Sequence, residues 1–354
     1  MNRNFGFFDQ DKAMDRRSFL RLSGLLGLAA ASSSLFPAGA EAVRFDRKRY
    51  KVSSTRLAMG TMVSMTLIHE SRDQAQEAMG LAFEEIKRLS GLMNRYDGAT
   101  AVGALNSEGR LEGAPPELRE VTARAVKHYG ISGGRFDITV KPVVDLYRNR
   151  YEAGKESPEV SEKELEQVLE LVDAGRIIMN GDRISFARAG MGITLDGIAK
   201  GYIVDRASKL LASRGIESHI INAGGDIRTR GAREDGSPWR VAIEDPEGKG
   251  GYRSVLRMRD GAVATSGNYQ IFFDKEKMVH HIVDPCTGLS PAVSASVSIL
   301  TETAMDADAL STAAMVMDPG RAVKFAESRQ GCEVLVIEKS GRPWKSRGWG
   351  SRAI

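Results

Sequence analysis

The sequence predicts an α+β fold with largely antiparallel pairing, and three observations predict it. Val63, Met65 and Leu67 alternate as the buried face of a strand does, and they run into Ala75, Ala78, Ala82, Ile86, Leu89 and Met93 at helical spacing. Most β-type segments after residue 215 follow one another with no helix between them, which a doubly wound parallel sheet does not allow. Several are joined by Gly or Asp-Gly, the residues of tight turns.

In chain order, after that first strand and helix, Leu118, Val121, Ala125 and Tyr129 predict a second helix. Residues 148–162, rich in charge, Gly and Pro, predict an exposed excursion. Leu165, Val168, Leu169 and Val172 predict a short helix, with strands at 176–179 and 183–187 after it. A helix from Tyr202 through Leu211 leads to strands at 218–222, 239–244, 254–259, 278–283, 294–300 and 333–338. There is no internal repeat and no long low-complexity linker.

The chain has 354 residues, 42% hydrophobic and 27% charged, which is ordinarily globular and long enough for a sizeable core in one large domain or two. Residues 1–40 stand apart from the fold. Asp15-Arg16-Arg17-Ser18-Phe19-Leu20-Arg21 precedes a mildly apolar run from Leu22 to Phe36 and then Ala38-Gly39-Ala40. This pattern is that of a twin-arginine export signal cut after Ala40 or Ala42. The apolar run is too short and too rich in Ser and Gly for a membrane span. The expectation is export of the folded domain, residues 41–354, by the twin-arginine translocase to the periplasm. Removing five basic and three acidic groups with the signal takes the net charge from +4 to +2. No basic run is interleaved with aromatics, so a nucleic-acid partner is not expected. Cys286 and Cys332 are the only cysteines, and their spacing says nothing firm about pairing.

Chemistry first suggests itself in residues 304–313, "AMDADALSTA". At helical pitch Asp308 and Thr312 share one face a turn apart, while Asp306 points elsewhere. A carboxylate and a hydroxyl together suit a hard cation such as magnesium (Mg2+). From this stretch alone, capping of the helix by Asp306 or Asp308 and back-bonding by Thr312 are the favoured account. Further turn-rich clusters lie at Met59–Thr61, Gly133–Pro142, Thr194–Tyr202 with Asn222–Asp226, and Ala264–Tyr269 with His280–Gly288. Glycines with a lysine entering a helix can cradle phosphates, although the run from Gly197 to Gly201 matches neither the P-loop nor the dinucleotide fingerprint.

In this order the motifs "MGTMVS", "MNRYDGATAVGALN", "GGRFDITVKPVVDLY", "LDGIAKGYIVD", "NAGGDIRTRG", "AVATSGNY", "HHIVDPCTG" and "DADALSTAAMV" resemble the ApbE-type flavin transferases over residues 55–340. The resemblance implies a T-fold-related α+β architecture over the mature domain, one FAD per chain and magnesium-dependent transfer. The FMN part of FAD is expected to pass, through its phosphate, to a Thr or Ser of an acceptor protein, with AMP leaving. By resemblance, Gly197 through its carbonyl, Asp308, Ser311 and Thr312 hold magnesium. Met59, Tyr96, Arg135, Phe136, Asp137, Thr194, Lys200 and Ile282 match positions that contact FAD, and His281 matches a base for the incoming hydroxyl. Asp306 receives no role. Family members often carry Asp where Thr194 stands and a small residue where Asp196 stands, so the acid is shifted by two residues and Asp196 is expected as a turn residue. The acceptor is expected to be exported or membrane-bound, a respiratory redox component among the possibilities. An FAD carrier and an FAD pyrophosphatase giving FMN and AMP are the competing functions.

Overall fold

The computed structural model describes residues 41–46, 49–152, 160–246, 250–267 and 282–353, so the expected export signal lies outside the described residues. Strands β1 (Glu41–Asp46), β2 (Arg49–Ala58) and β3 (Thr61–His69) form a meander that enters helix α1 (Arg72–Leu92). A mostly helical stretch follows: α2 (Ala101–Glu108), β4 (Arg110–Leu111), α3 (Pro116–Ser132), α4 (Lys141–Glu152), α5 (Glu162–Leu169), β5 (Ile177–Asn180), β6 (Arg183–Phe186) and α6 (Ala199–Ser213). The chain then returns to strands, β7 (Ser218–Ala223), β8 (Asp226–Arg230), β9 (Trp239–Glu244), β10 (Tyr252–Met258), β11 (Gly261–Gly267) and β12 (Ser294–Thr301). It closes with α7 (Ala304–Met315), α8 (Pro319–Glu327), β13 (Glu333–Glu338), β14 (Pro343–Lys345) and α9 (Trp349–Arg352).

Nine strands make one sheet in the order β1-β2-β3-β7-β8-β11-β12-β13-β14, antiparallel at every pairing. Both faces of the sheet are covered at β13, which is why that strand reads as the unbroken apolar run Val334 to Ile337. Val334 and Val336 join the core beneath α1, α6 and α7, whereas Leu335 and Ile337 pack with the β9–β10 hairpin and Trp349 on the other face. On α1, Ser71 caps the N-terminus by accepting from Gln74 N, and Ala75, Ala78, Met79, Ala82, Phe83, Ile86 and Leu89 form its buried stripe. Helices α6 and α7 cross so closely that a Cβ on Gly201 would collide with the Ala304 carbonyl. That contact sets the first turn of α6 beside α7.

The α+β prediction and its antiparallel pairing match the architecture, with local differences. Residues 148–152, expected in an exposed excursion, continue α4, because Val143, Val144 and Tyr147 of that helix bury against Val283, Leu165 and Val168. Residues 153–159 lie outside the described residues. In the strand expected at 278–283, Ile282 and Val283 are irregular and 278–281 lie outside the described residues. Cys286 is exposed, Cys332 is buried, and both are free thiols.

On β7, His219 is fully buried, its Nε2 2.7 Å from Ser208 Oγ and its Nδ1 2.9 Å from the Ile216 carbonyl. Burial pushes its pKa down to about 4. An unfolded histidine titrates near ~6.5, so between those values the unfolded chain binds more protons and stability is lost as pH falls. Urea unfolding is therefore expected to show a loss of about 2 kcal/mol from this residue between about pH 7 and 5. His219→Gln should flatten that difference.

Candidate active site

One depression gathers six stretches of chain that are separate in sequence. The α3–α4 connection supplies Arg135, Phe136 and Asp137; the turn into α6 supplies Thr194, Asp196, Gly197 and Lys200. Asp226 and Ser266 come from β8 and β11, Ile282 and Pro285 from the segment before β12, and Asp308 and Thr312 from α7.

Helix α7 divides its polar side chains as its pitch dictates. Thr303, rather than either aspartate, caps it by accepting from Asp306 N. Asp308 and Thr312 face the depression, and Asp306 faces α3, where Arg124 Nε donates to its Oδ1 at 2.8 Å and His128 Nε2 lies 2.8 Å from the same oxygen. Burial alone would raise the Asp306 pKa, but the bonds from His128, Arg124 and Thr303 outweigh it and hold the carboxyl well below the usual carboxylate range.

The depression's inner corner is built of oxygens. Asp308 is 5% exposed, and its Oδ2 accepts from Gly201 N at 3.0 Å. Burial, then the neighbouring Asp226, push its pKa well above the ordinary value, against the pull of Lys200. Asp226 is also buried, with its Oδ2 3.2 Å from Lys200 Nζ. Two buried carboxylates thus face one ammonium. Ser266 Oγ lies 2.8 Å from Ser311 Oγ and 3.4 Å from Thr312 Oγ1. Gly197 packs so tightly on α7 that a Cβ there would sit 2.8 Å from Thr312 Oγ1, so the absence of a side chain lets its backbone reach this corner. Among the described residues no three His, Cys, Asp or Glu converge on a metal position. The side-chain oxygens that meet at the corner, carboxylate and hydroxyl, are of the kind a hard divalent cation takes. Beside them the N-terminus of α6, which has no side-chain cap, brings Lys200 and the helix's positive end, a setting for phosphate.

Several expected residues lie off this depression or hydrogen-bond within the protein. Ser311 is 1% exposed and does not line the depression; its hydroxyl donates to the Asp308 carbonyl at 3.0 Å. Met59 occupies the β2–β3 turn at φ 52°, followed by Gly60 at φ 69°, and its side chain is buried in the core rather than lining the depression. Tyr96 also stands outside, its ring 4.5 Å from the Arg95 guanidinium and 5.0 Å from that of Arg148. Asp137 lines the depression, yet its carboxylate accepts from Thr139 N at 2.7 Å and Ala174 N at 3.0 Å, so it shapes the connection. Thr194 Oγ1 accepts from Asp196 N at 3.3 Å, forming the turn. Asp196, expected as a turn residue, brings its carboxylate to the wall, where it lies 3.4 Å from Arg95 Nε. His281 lies outside the described residues. Asp226 and Ser266 were missed as site residues, although both fall within clusters the sequence singles out, Asn222–Asp226 and Ala264–Tyr269.

Comparison with known proteins gives the chain's family. The profile of the ApbE family matches residues 59–336. The chain is 29% identical over 327 residues to a Vibrio cholerae protein named FAD:protein FMN transferase, covering 90% of this chain and 95% of that one. A Haemophilus influenzae protein of the same name is 28% identical over 285 residues, covering 77% and 80% respectively. Among solved structures, the ApbE protein of Thermotoga maritima superposes with a TM-score of 0.78 at 28% identity, covering 86% of this chain and 99% of that one. The flavin transferase ApbE from Vibrio cholerae does so at 0.72 with 26% identity, covering 89% of this chain and all of that one. With its profile covering most of the chain, the oxygen-lined corner included, the chain belongs to the ApbE family.

Proposed function

We propose that this chain is an FAD:protein FMN transferase, moving the FMN moiety of FAD to a Thr or Ser side chain of an acceptor protein with magnesium and releasing AMP. The observation that carries the reading is the meeting of Asp308 and Thr312 with Gly197 and Lys200 in one depression. The acceptor hydroxyl forms a new P–O bond at the FMN phosphorus while the pyrophosphate P–O bond breaks towards AMP. The hydroxyl proton passes to a base, for which the family resemblance offers His281. Magnesium, held by Asp308, Thr312 and the Gly197 carbonyl, would neutralise charge on the pyrophosphate. Lys200 and the positive end of α6 orient the phosphates, which supports the reading from the other side of the corner. In this reading residues 1–40 direct export to the periplasm, and the acceptor is an exported or membrane-bound flavoprotein.

Incubating the mature chain with FAD, magnesium and candidate acceptors tests this by intact mass. The acceptor is expected to gain the mass of one FMN less one water, AMP to appear in equal amount, and EDTA to stop both. Replacing the labelled Thr of the acceptor by Ala should abolish the gain. Binding of FAD without AMP release would make the chain a carrier. Release of FMN and AMP without an acceptor would make it a pyrophosphatase.

A further inference from the structure

The oxygen-lined corner leaves Arg135 unexplained. It enters the depression from the α3–α4 connection, and its Nη1 lies 2.5 Å from Oδ2 of Asp284, 149 residues away in sequence. The other carboxylate oxygen, Oδ1, accepts from Cys286 N at 2.9 Å. The Asp284 backbone closes the same turn, its carbonyl accepting from Gly288 N at 2.7 Å and its N–H donating to the Leu289 carbonyl at 2.8 Å. One carboxylate therefore both shapes the 284–289 turn and ties it to another segment. Ile282, Val283 and Pro285, which lead into and out of Asp284, form an apolar wall of the depression. Val283 anchors this wall to α4, packing with Val143, Val144 and Tyr147. At Arg135 the tie is the ion pair. Pro285 and Asp137 also line a neighbouring open slot bounded by Tyr129, Leu169 and Cys286, so the two joined segments are the partition between the spaces.

We propose that Arg135 is a positioning residue: its ion pair with Asp284 clasps the 282–286 wall to the α3–α4 connection and so sets how tightly the depression holds FAD. The inference rests on the FMN-transferase reading for the ligand's identity. The sequence places Arg135 among direct FAD contacts, and the two roles predict opposite results. A guanidinium acting through Asp284 loses its effect when Asp284 is neutralised. One that serves the pyrophosphate directly is released by the same change and binds it better. The side chains are only 23% and 14% exposed, so water and salt weaken the pair without cancelling it.

FAD binding, read by quenching of flavin fluorescence, is measured for the full chain and for Arg135→Met, Arg135→Lys, Asp284→Asn and the Arg135→Met/Asp284→Asn double variant, with KM and kcat for transfer alongside. Arg135→Met and Asp284→Asn are each expected to weaken FAD about tenfold, the double variant no more than either. KM should rise by a similar factor while kcat at saturating FAD falls less than about threefold, since the metal corner is untouched. Arg135→Lys should recover most of the affinity, and high salt should narrow the gap between wild type and the neutral variants. Tighter FAD binding by Asp284→Asn, or additive losses in the double variant, would overturn the clasp. Unchanged binding by Arg135→Met would do so too. Binding needs neither acceptor nor turnover, so a chain that binds FAD normally but labels no acceptor refutes the transferase reading and leaves the clasp to be judged on its own data.

Discussion

Asp308→Asn is expected to lower FMN transfer by roughly 10³-fold, because it removes the charge that would hold magnesium against the pyrophosphate. Asparagine keeps the volume of the side chain, and its carbonyl oxygen can still accept from Gly201 N, so the crossing of α6 and α7 is preserved. The wild-type corner holds two buried carboxylates, Asp308 and Asp226, near a single ammonium, Lys200. Removing one carboxylate leaves the other already paired, with little left to attract a dication. Transfer measured across a magnesium titration checks this, together with calorimetric magnesium binding in the presence of FAD and the absence of acceptor. Both should fail in Asp308→Asn. A variant as active as wild type at the same magnesium concentration would assign Asp308 a structural role only.

Asp306→Ala, two residues away, is expected to reduce stability rather than chemistry, by about 3 kcal/mol, because it leaves Arg124 without its counter-charge and His128 without its hydrogen-bond partner. Arg124 and His128 both aim at this carboxylate, with side-chain exposures of 34% and 3%. Arg124 regains some water when the partner goes, which places the cost at the lower end for broken buried pairs. Because the folded carboxyl titrates below its unfolded value, its stabilisation is present above about pH 4 and is lost as pH falls through the folded value. Denaturant melts of wild type and Asp306→Ala near neutrality give the difference, and transfer per folded molecule should remain close to wild type. A large loss of transfer at unchanged stability would place Asp306 in the reaction instead.

The α7 stretch shows how far local pattern reaches. A helical pitch of 3.6 residues is enough to separate Asp306 from Asp308 and Thr312, and the structure sends them to different neighbours as that pitch requires. It is not enough to name those neighbours. Ser311 follows Asp308 by three residues and was grouped with it by resemblance, but its hydroxyl turns back to the helix carbonyl and to Ser266. Tyr96 and Met59 were likewise placed by motif, and packing against Arg95 and Arg148 in one case and within the core in the other keeps them off the lining. Asp226 was legible only as part of a glycine-rich turn, because its importance lies in a lysine from another element.

By itself the sequence determined most of the element types and the antiparallel character of the second half, since periodic burial and short turn signals are local properties, while the family was legible in its motifs. It also brought Asp308 and Thr312 together, one turn apart on a single helix. Only the tertiary structure decided which polar side chains meet: Arg135 with Asp284, Asp306 with Arg124 and His128, and Lys200 with Asp226. The physical reason is that an ionic or metal-ligating role is a property of the space between elements. That space exists only once α6, α7 and the long sheet have packed, because burial and a facing charge, neither of them local, set what each carboxylate can do.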